Sequence, residues 1–584
     1  MKFANSKNAR GIEALQGGNI PLAIQLFQEA INESPRQPAL HANLAKALKR
    51  GGLIDQAAAR LTFTLAFDPG SNDASLLSIW LAGGANPNIM DLHPRGLLSA
   101  INRKDIDRHP IINLSANYMK NNLPTSRAFQ LGRKEDWESA AQWILSASGK
   151  AALGNKLFLN CLKAEPICDF EFENLLLKVR RALLLTPPKH LLKKNPLQDF
   201  IFSFITQCKL NEYIYGVSKE EEKMLRKLRP NIHDPWVFCI LALYHPINSL
   251  IVPDEKIKKL FPKPLAQLIR KIIAENKVEL ELAKTFKILN RADNKTSISV
   301  KAFYEETPYP RWSSVNLIAN LRRSTLQYLM PGKNLSFMDQ SFSVLIAGCG
   351  TGQQLVEAAA GYGEKSDILA IDLSCNSLAY AARMAAFFGF RKIEFATGDI
   401  LGLDSLSKQF DFLECVGVLH HLEKPFVGWK KLLDRLQDGG YMRIGLYSKR
   451  ARKRFNETKI ALLPKTAGGS LTEFRQARYA LVSSAEASYK NTLFNSPDFF
   501  TLSNARDLLS HISENPVTLE SIADFIAKGN LEFVGFETSP VVAHTFDREE
   551  GNNNRKSLEN WTAFEERHPE AFATMYLFWC RKLS

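Results

Sequence analysis

Gly348, Gly350 and Gly352 alternate in one tight turn. Asp372 and Asp399 each follow a short apolar run, and His420 and His421 stand together after another. Glycine at alternate positions lets backbone N–H groups approach a ligand that side chains would block. A carboxylate about twenty residues further on suits the ribose hydroxyls of a nucleoside. The paired imidazoles offer candidate bases near neutral pH. Gln353 occupies the place where a dinucleotide fold needs a third small residue, so a pyrophosphate-bearing ligand is disfavoured. A last group is Tyr304-Glu305-Glu306-Thr307-Pro308-Tyr309-Pro310-Arg311-Trp312, whose two prolines stiffen an extended segment. Its three aromatic rings and its guanidinium are suited to covering a ligand or clamping a planar or carboxylate-bearing one.

The elements that must position these residues follow from hydrophobic pattern. Ser343–Ala347 reads as a buried parallel strand, the glycine turn follows at once, and Gln353–Ala360 is helical in pattern. Leu369–Asp372 and Ile393–Ile400 read as further strands, each ending in an acid. Phe410–Val416 is another, running into Gly417-Val418-Leu419-His420-His421. Leu436–Leu446 enters a fifth strand through Gly439-Gly440, and Leu531–Phe536 and Met575–Cys580 supply two more. Helices alternating with parallel strands in this way predict a doubly wound α/β sheet.

This ordered set resembles class I S-adenosylmethionine-dependent methyltransferases, with Ala347-Gly348-Cys349-Gly350-Thr351-Gly352 as the first motif. The resemblance implies a seven-stranded sheet with S-adenosylmethionine as cofactor. Ala347, Gly348, Cys349, Gly350 and Gly352 would shape the methionine end. Asp372 with Leu373 would meet the ribose, Asp399 with Ile400 the adenine, and Val418 with Leu419 the floor beneath the sulfonium. His420 and His421 are the catalytic candidates. Tyr304, Tyr309, Arg311, Trp312 and Tyr447 are the substrate and lid candidates, with Arg311 offering a cation to the cofactor carboxylate or an anionic acceptor.

Near the start, Gly18, Ala23, Phe27, Ala30 and Pro35 recur 34 positions later as Gly52, Ala57, Leu61, Thr64 and Pro69. The period and residue types resemble the tetratricopeptide repeat. A third copy fails where Ala85-Asn86-Pro87-Asn88 interrupts its second helix. Residues 72–295 read as further helices, among them one carrying Phe172, Leu175, Leu176, Val179, Ala182 and Leu183 on a single face and ended by Pro187-Pro188. Taken together, the expected organisation is two repeats over 1–71, a helical interaction domain over 72–295 and a methyltransferase domain over 296–584. A helical insert over 449–530 would act as a lid. The whole order resembles the bacterial tetratricopeptide-repeat methyltransferases, but departs from them at Ser510-His511-Ile512-Ser513-Glu514-Asn515, where that family carries Phe-His-Val and Glu-His.

Composition bounds the rest. With 45% hydrophobic and 23% charged residues the chain is of ordinary globular type. Its longest apolar run, Trp236–Tyr244, is too short to span a bilayer, and Met1–Ser6 lacks a signal-peptide core. Eight cysteines stand singly, which favours neither zinc nor a disulfide framework and points to the cytoplasm. The net charge of +15 is spread over short clusters, chiefly solvated helix faces. The cluster Lys449–Arg454 is an exception, since it follows the fifth strand directly. Nucleic-acid substrates are disfavoured, because no Asn- or Asp-Pro-Pro-aromatic motif and no Pro-Cys follows the fourth strand. The expected function is therefore methyl transfer to a protein recruited by the repeats. A small-molecule O- or N-methyltransferase and a non-catalytic cofactor-binding scaffold are the alternatives.

Overall fold

The computed structural model describes residues 2–122, 124–132, 138–185, 196–462, 469–484 and 496–584. Pro187-Pro188 lies outside them. The chain forms two compact units. One is Met1–Ile272 with Trp312–Asn316 and Phe494–Thr501, and the other is Ile273–Arg311, Leu317–Leu493 and Leu502–Ser584.

The first unit opens with two helical hairpins, Lys2–Gln16 with Ile20–Glu33 and Pro38–Arg50 with Ile54–Phe67. Gly18 and Gly52 take left-handed φ values of 79° and 78°, which reverse the chain between helices at equivalent points of each repeat. Small residues allow close helix approach: a Cβ placed on Gly11 would lie 2.7 Å from the Phe27 ring. Ala23, Phe27 and Ala30 are buried, as are Ala57, Leu61 and Thr64. The third copy stops after one helix, Asp73–Ala82, and helical structure beyond it follows a different course. Further helices include Phe170–Leu185, whose Phe172, Leu175, Leu176, Val179, Ala182 and Leu183 face the core.

The second unit is built on eight strands, β1 (Lys287–Ile288), β2 (Phe342–Ala347), β3 (Ser366–Asp372), β4 (Glu394–Thr397), β5 (Phe410–Val416), β6 (Leu436–Leu446), β7 (Leu531–Phe536) and β8 (Tyr576–Lys582). Their order is β1-β4-β3-β2-β5-β6-β8-β7. The pairs from β1 to β6 are parallel, and β8 runs antiparallel to both neighbours. Strand order reverses at β2, so the crevice for a ligand opens at the carboxyl ends of β2 and β5.

Alternate residues bury into opposite cores. Leu345, Leu369, Ile371, Leu413 and Ile444 face one, and Val344, Ile346, Ala370, Phe412 and Trp579 the other. Two expectations need correction. The sheet has eight strands because Lys287 and Ile288 pair with Ala396 and Thr397, and for the same reason this unit begins before residue 296. The insert after β6 is closed at its base where Lys449 N donates to Val517 O (2.8 Å) and Val517 N donates to Tyr447 O (3.0 Å). The helix Leu519–Lys528 that follows is part of the core, through Leu519, Ile522 and Ile526.

Candidate active site

The glycine turn leaves β2 with Gly348, Gly350 and Gly352 at φ 73°, 52° and 84°. Space as well as φ demands glycine here. A Cβ at 348 would meet Val418 at 2.4 Å, one at 350 the Tyr309 carbonyl at 2.9 Å, and one at 352 Ala381 at 2.6 Å. Gly348 N and Cys349 N both donate to Ile371 O, at 2.8 and 3.0 Å, which ties the turn to β3. Thr351 Oγ1 donates to the Pro310 carbonyl, so residues 309–310 lie against the turn.

Asp372 ends β3 and accepts one amide on each oxygen, Gly350 N on Oδ2 (2.8 Å) and Ser374 N on Oδ1 (2.9 Å). Burial nonetheless pushes its carboxyl up to about 6, because those two N–H donors only partly offset desolvation. The residue that the sequence assigns to ribose thus also fastens the turn. Each oxygen keeps a lone pair for a hydroxyl donor.

Asp399 follows β4 and is 2% exposed. Its Oδ1 accepts from Leu401 N at 2.9 Å, starting the short helical turn Ile400–Ser405. Its Oδ2 is buried with no hydrogen-bond partner among the described residues. Asn290, two residues beyond β1, clamps both backbone groups of Asp399: Asp399 N donates to Asn290 Oδ1 (2.7 Å) and Asn290 Nδ2 donates to Asp399 O (3.2 Å). Nothing in the local sequence pattern announces Asn290.

Beyond β5, His420 and His421 sit in a buried cluster of rings. His420 Nδ1 accepts from Tyr447 N (3.3 Å) and its ring stacks on Tyr447 at 3.7 Å. Its Nε2 therefore carries the hydrogen, buried without a partner among the described residues. Burial, then His421 and Arg452, hold its imidazole well below the ordinary value, so it stays neutral. His421 Nδ1 donates to the Ser513 carbonyl at 2.9 Å, which leaves the lone pair on Nε2. Tyr304 donates its hydroxyl to Asp507 Oδ1 at 2.7 Å. Burial first, and then Asp507, push that phenol well above its usual range.

His511 lies 3.7 Å from His421 and 5.7 Å from Tyr304, ring to ring, and Tyr309 stacks 6.5 Å from Tyr304. The departing segment at 510–515 is thus brought to the two histidines. Asn515 N donates to His420 O at 2.6 Å and Asn515 Nδ2 to Leu422 O at 2.9 Å. Asp507 and His511 belong to this cluster and are absent from the sequence-predicted set. The only trace of Asp507 in the sequence is a carboxylate on the buried face of Leu502–Ser510.

His421, Asp507 and His511 also hold potential ligand atoms within 4.8 Å of one another. Ser513 N donates to His511 Nδ1 at 3.1 Å, which places the hydrogen of neutral His511 on Nε2 and fits a hydrogen-bonded cluster better than a metal cage.

Three further groups singled out in the sequence take the following places. The Arg311 guanidinium lies over the Tyr380 ring (4.6 Å) and 3.8 Å from Glu279. Trp312 is buried and belongs to the first unit, whereas Tyr304, Tyr309 and Arg311 belong to the second. In the basic cluster, Arg450 pairs with Glu566 (3.2 Å), while Arg452 pairs with Glu514 (2.8 Å) and covers the Tyr447 ring at 3.9 Å.

Residues 344–440 match the family model described as a methyltransferase domain, and residues 14–78 match a tetratricopeptide repeat. The chain therefore joins a tetratricopeptide repeat to a methyltransferase domain, the kind of domain that takes S-adenosylmethionine. An uncharacterized protein of Synechococcus sp. is 30% identical over 201 residues, which are 33% of this chain and 48% of that protein. The chain thus spans about half the length of this curated relative. Among solved structures, PKMT2 from Rickettsia typhi in complex with AdoHcy matches with a TM-score of 0.33 at 17% identity, over 47% of this chain and 55% of that one. Phosphoethanolamine N-methyltransferase 2 from Haemonchus contortus with S-adenosyl-L-methionine gives 0.27 at 14% identity, over 49% and 60%. No helix among the described residues is long and apolar enough to cross a membrane.

Proposed function

We propose that this protein is an S-adenosylmethionine-dependent methyltransferase acting on a protein recruited through its repeats, in the cytoplasm. The observation that carries the cofactor assignment is Asp399 Oδ2, a buried carboxylate oxygen without a partner among the described residues, at the same end of the sheet as a turn of three left-handed glycines. A buried acceptor left unpaired is unfavourable unless a ligand completes it, and an exocyclic amino group is a donor of the right kind. Asp372 would take the ribose hydroxyls, the turn from Ala347 to Gly352 the methionine end, and Val418 with Leu419 the floor.

S-adenosylmethionine supplies an electrophilic methyl group on a sulfonium. The protein must align an acceptor, exclude water and remove a proton. His421 is the base we favour, because Ser513 fixes its Nδ1–H within a buried cluster with Tyr304, Asp507 and His511. The carboxylate of Asp507 would stabilise the imidazolium as it forms. His420, neutral and stacked on Tyr447, orders the wall. Tyr304 and Tyr309 cover the turn. Recruitment is supported by the repeat over 14–78, and a cytoplasmic setting by eight cysteines that form no disulfide.

Titration calorimetry with S-adenosylmethionine tests the first part, and absence of binding by folded protein would overturn it. Incubating lysate with methyl-labelled cofactor tests the second. Label should appear on protein, and label confined to small molecules would leave the repeats with an assembly role.

A further inference from the structure

Among the described residues, the Nε2–H of His420 is a buried donor that no protein group accepts. The hydrogen sits there because Nδ1 takes the other role, accepting from Tyr447 N at 3.3 Å. The side chain is 0% exposed, so bulk water does not reach it. Its ring is held from several sides. Tyr447 stacks on it at 3.7 Å, His421 meets it edge to face at 4.4 Å, and the His420 carbonyl accepts from Asn515 N at 2.6 Å. The Arg452 guanidinium lies 3.9 Å from the centre of the same Tyr447 ring, and two groups that close to one ring occupy its opposite faces. Burial first, and then His421 and this cation, keep the imidazole neutral, with one N–H and one lone pair. A fixed, buried donor without an acceptor is unfavourable until a ligand lone pair reaches it.

We propose, on the basis of the methyl-transfer reading above, that His420 Nε2 donates to the acceptor atom itself and that this atom is a hydroxyl oxygen. In that reading Asp372, Asp399 and the glycine turn take the polar parts of the cofactor, and Val418 with Leu419 forms the floor beneath the sulfonium. His420 is the next residue of the chain, and its donor is left for the acceptor. Lone pairs then decide the element. A hydroxyl oxygen has two lone pairs and one hydrogen. One lone pair attacks the methyl carbon, the other accepts from His420, and the proton passes to His421, the base of the same reading. The O–CH3 bond forms as the S–CH3 bond breaks, and the electron pair of the broken bond stays on sulfur, which becomes a neutral thioether. Nitrogen does not fit this pattern. An ammonium offers only N–H groups, and the amine left by deprotonation has a single lone pair, which the methyl group takes. Either would set N–H against N–H at His420. A carboxylate has lone pairs enough but no proton to give up, so the base would have no task.

The chemistry of the new bond tests the proposal on whatever molecule receives the methyl group. The full chain is incubated with lysate and methyl-labelled S-adenosylmethionine, lysate without added protein sets the background, and labelled material is freed of unused cofactor. Hydriodic acid then cleaves methyl ethers to volatile methyl iodide under conditions that leave N-methyl groups in place. Release of the label as methyl iodide is expected. Label that stays behind would overturn the proposal and leave the methyltransferase reading standing, and so would release as methanol in mild alkali, the mark of a methyl ester. No incorporation above background would overturn that reading and the proposal with it. His420→Phe keeps a ring against Tyr447 but removes the donor, and should slow incorporation about tenfold with S-adenosylmethionine affinity held within about twofold. His420→Gln, whose amide N–H reaches the place of Nε2, should recover most of that rate. Wild-type incorporation by His420→Phe, or a His420→Gln variant no faster than His420→Phe, would overturn the proposal.

Discussion

Two buried polar clusters of the sheet unit are built to opposite specifications. On β5 and β6, Arg322 donates to Glu414 from Nε (2.7 Å) and Nη2 (3.2 Å), and Arg443 Nη1 donates to Glu414 at 3.1 Å. Arg443 also grips Glu537 from Nε (2.8 Å) and Nη2 (3.0 Å). Each charge in this network is answered by another. At the carboxyl ends of β4 and β5, Asp399 Oδ2 and His420 Nε2 are buried and unanswered among the described residues. The first cluster is satisfied within the fold, and the second leaves one acceptor and one donor that a ligand can satisfy. Glu414 lies five residues before Leu419 and belongs entirely to the first class.

The comparison can be broken most severely at Glu414. Glu414→Gln removes the shared countercharge of two buried arginines and should lower unfolding free energy by about 3–5 kcal/mol in urea titrations. Burial raises the Glu414 carboxyl but Arg322 and Arg443 outweigh it, so its folded pKa lies below the ordinary value. A depressed carboxylate contributes fully above its unfolded pKa of about 4.3, and the contribution fades as pH falls through the folded value. The wild type should therefore lose stability on acidification in that range more steeply than the variant. Equal acid sensitivity would place the charge network elsewhere.

The next largest effect belongs to the other cluster. His421→Ala should cut single-turnover methylation about a hundredfold, near 2.7 kcal/mol, with little change in melting. A variant with wild-type turnover would reduce the histidine to packing. Asp399→Ala should weaken S-adenosylmethionine binding by about 1.5–3 kcal/mol in calorimetry. Its stability should change by no more than about 1 kcal/mol, because loss of the cap on Leu401 N is offset by removal of an unsatisfied buried acceptor. A parallel loss of stability would mean Asp399 belongs with Glu414.

The smallest effect is a pH dependence. Asp372 is raised to about 6, so its folded form holds a proton more readily than the unfolded chain. The associated stability is fully present below the unfolded pKa of about 3.9 and is lost as pH rises through about 6. Cofactor binding, which uses the ionised carboxylate, should follow the reverse course and weaken a few-fold between pH 7 and pH 5. Asp372→Asn should flatten that profile.

The glycine turn, Asp372, Asp399 and the two histidines were legible because each is local: a strand, a turn and a residue type within a dozen positions. Asp507 and His511 reach the same histidines from about ninety positions away, across the insert after β6, and no periodicity encodes that return. Strand β1 is two residues long and exposed, so it carries no pattern, although Asn290 beyond it holds Asp399 by both backbone groups. Arg311 was legible as a fixed cation. Its partner Glu279, more than thirty residues upstream, was not.

Gly350 has a consequence for timing. Its missing side chain lets the Tyr309 carbonyl rest on the turn, and the neighbouring Thr351 hydroxyl fastens Pro310 to the same spot. A ligand entering or leaving beneath that strap must wait for one hydroxyl to let go. Thr351→Val, observed by stopped flow, should then quicken cofactor capture and escape together and leave the dissociation constant almost unmoved. The turn that shapes the pocket would then also set how long its occupant stays.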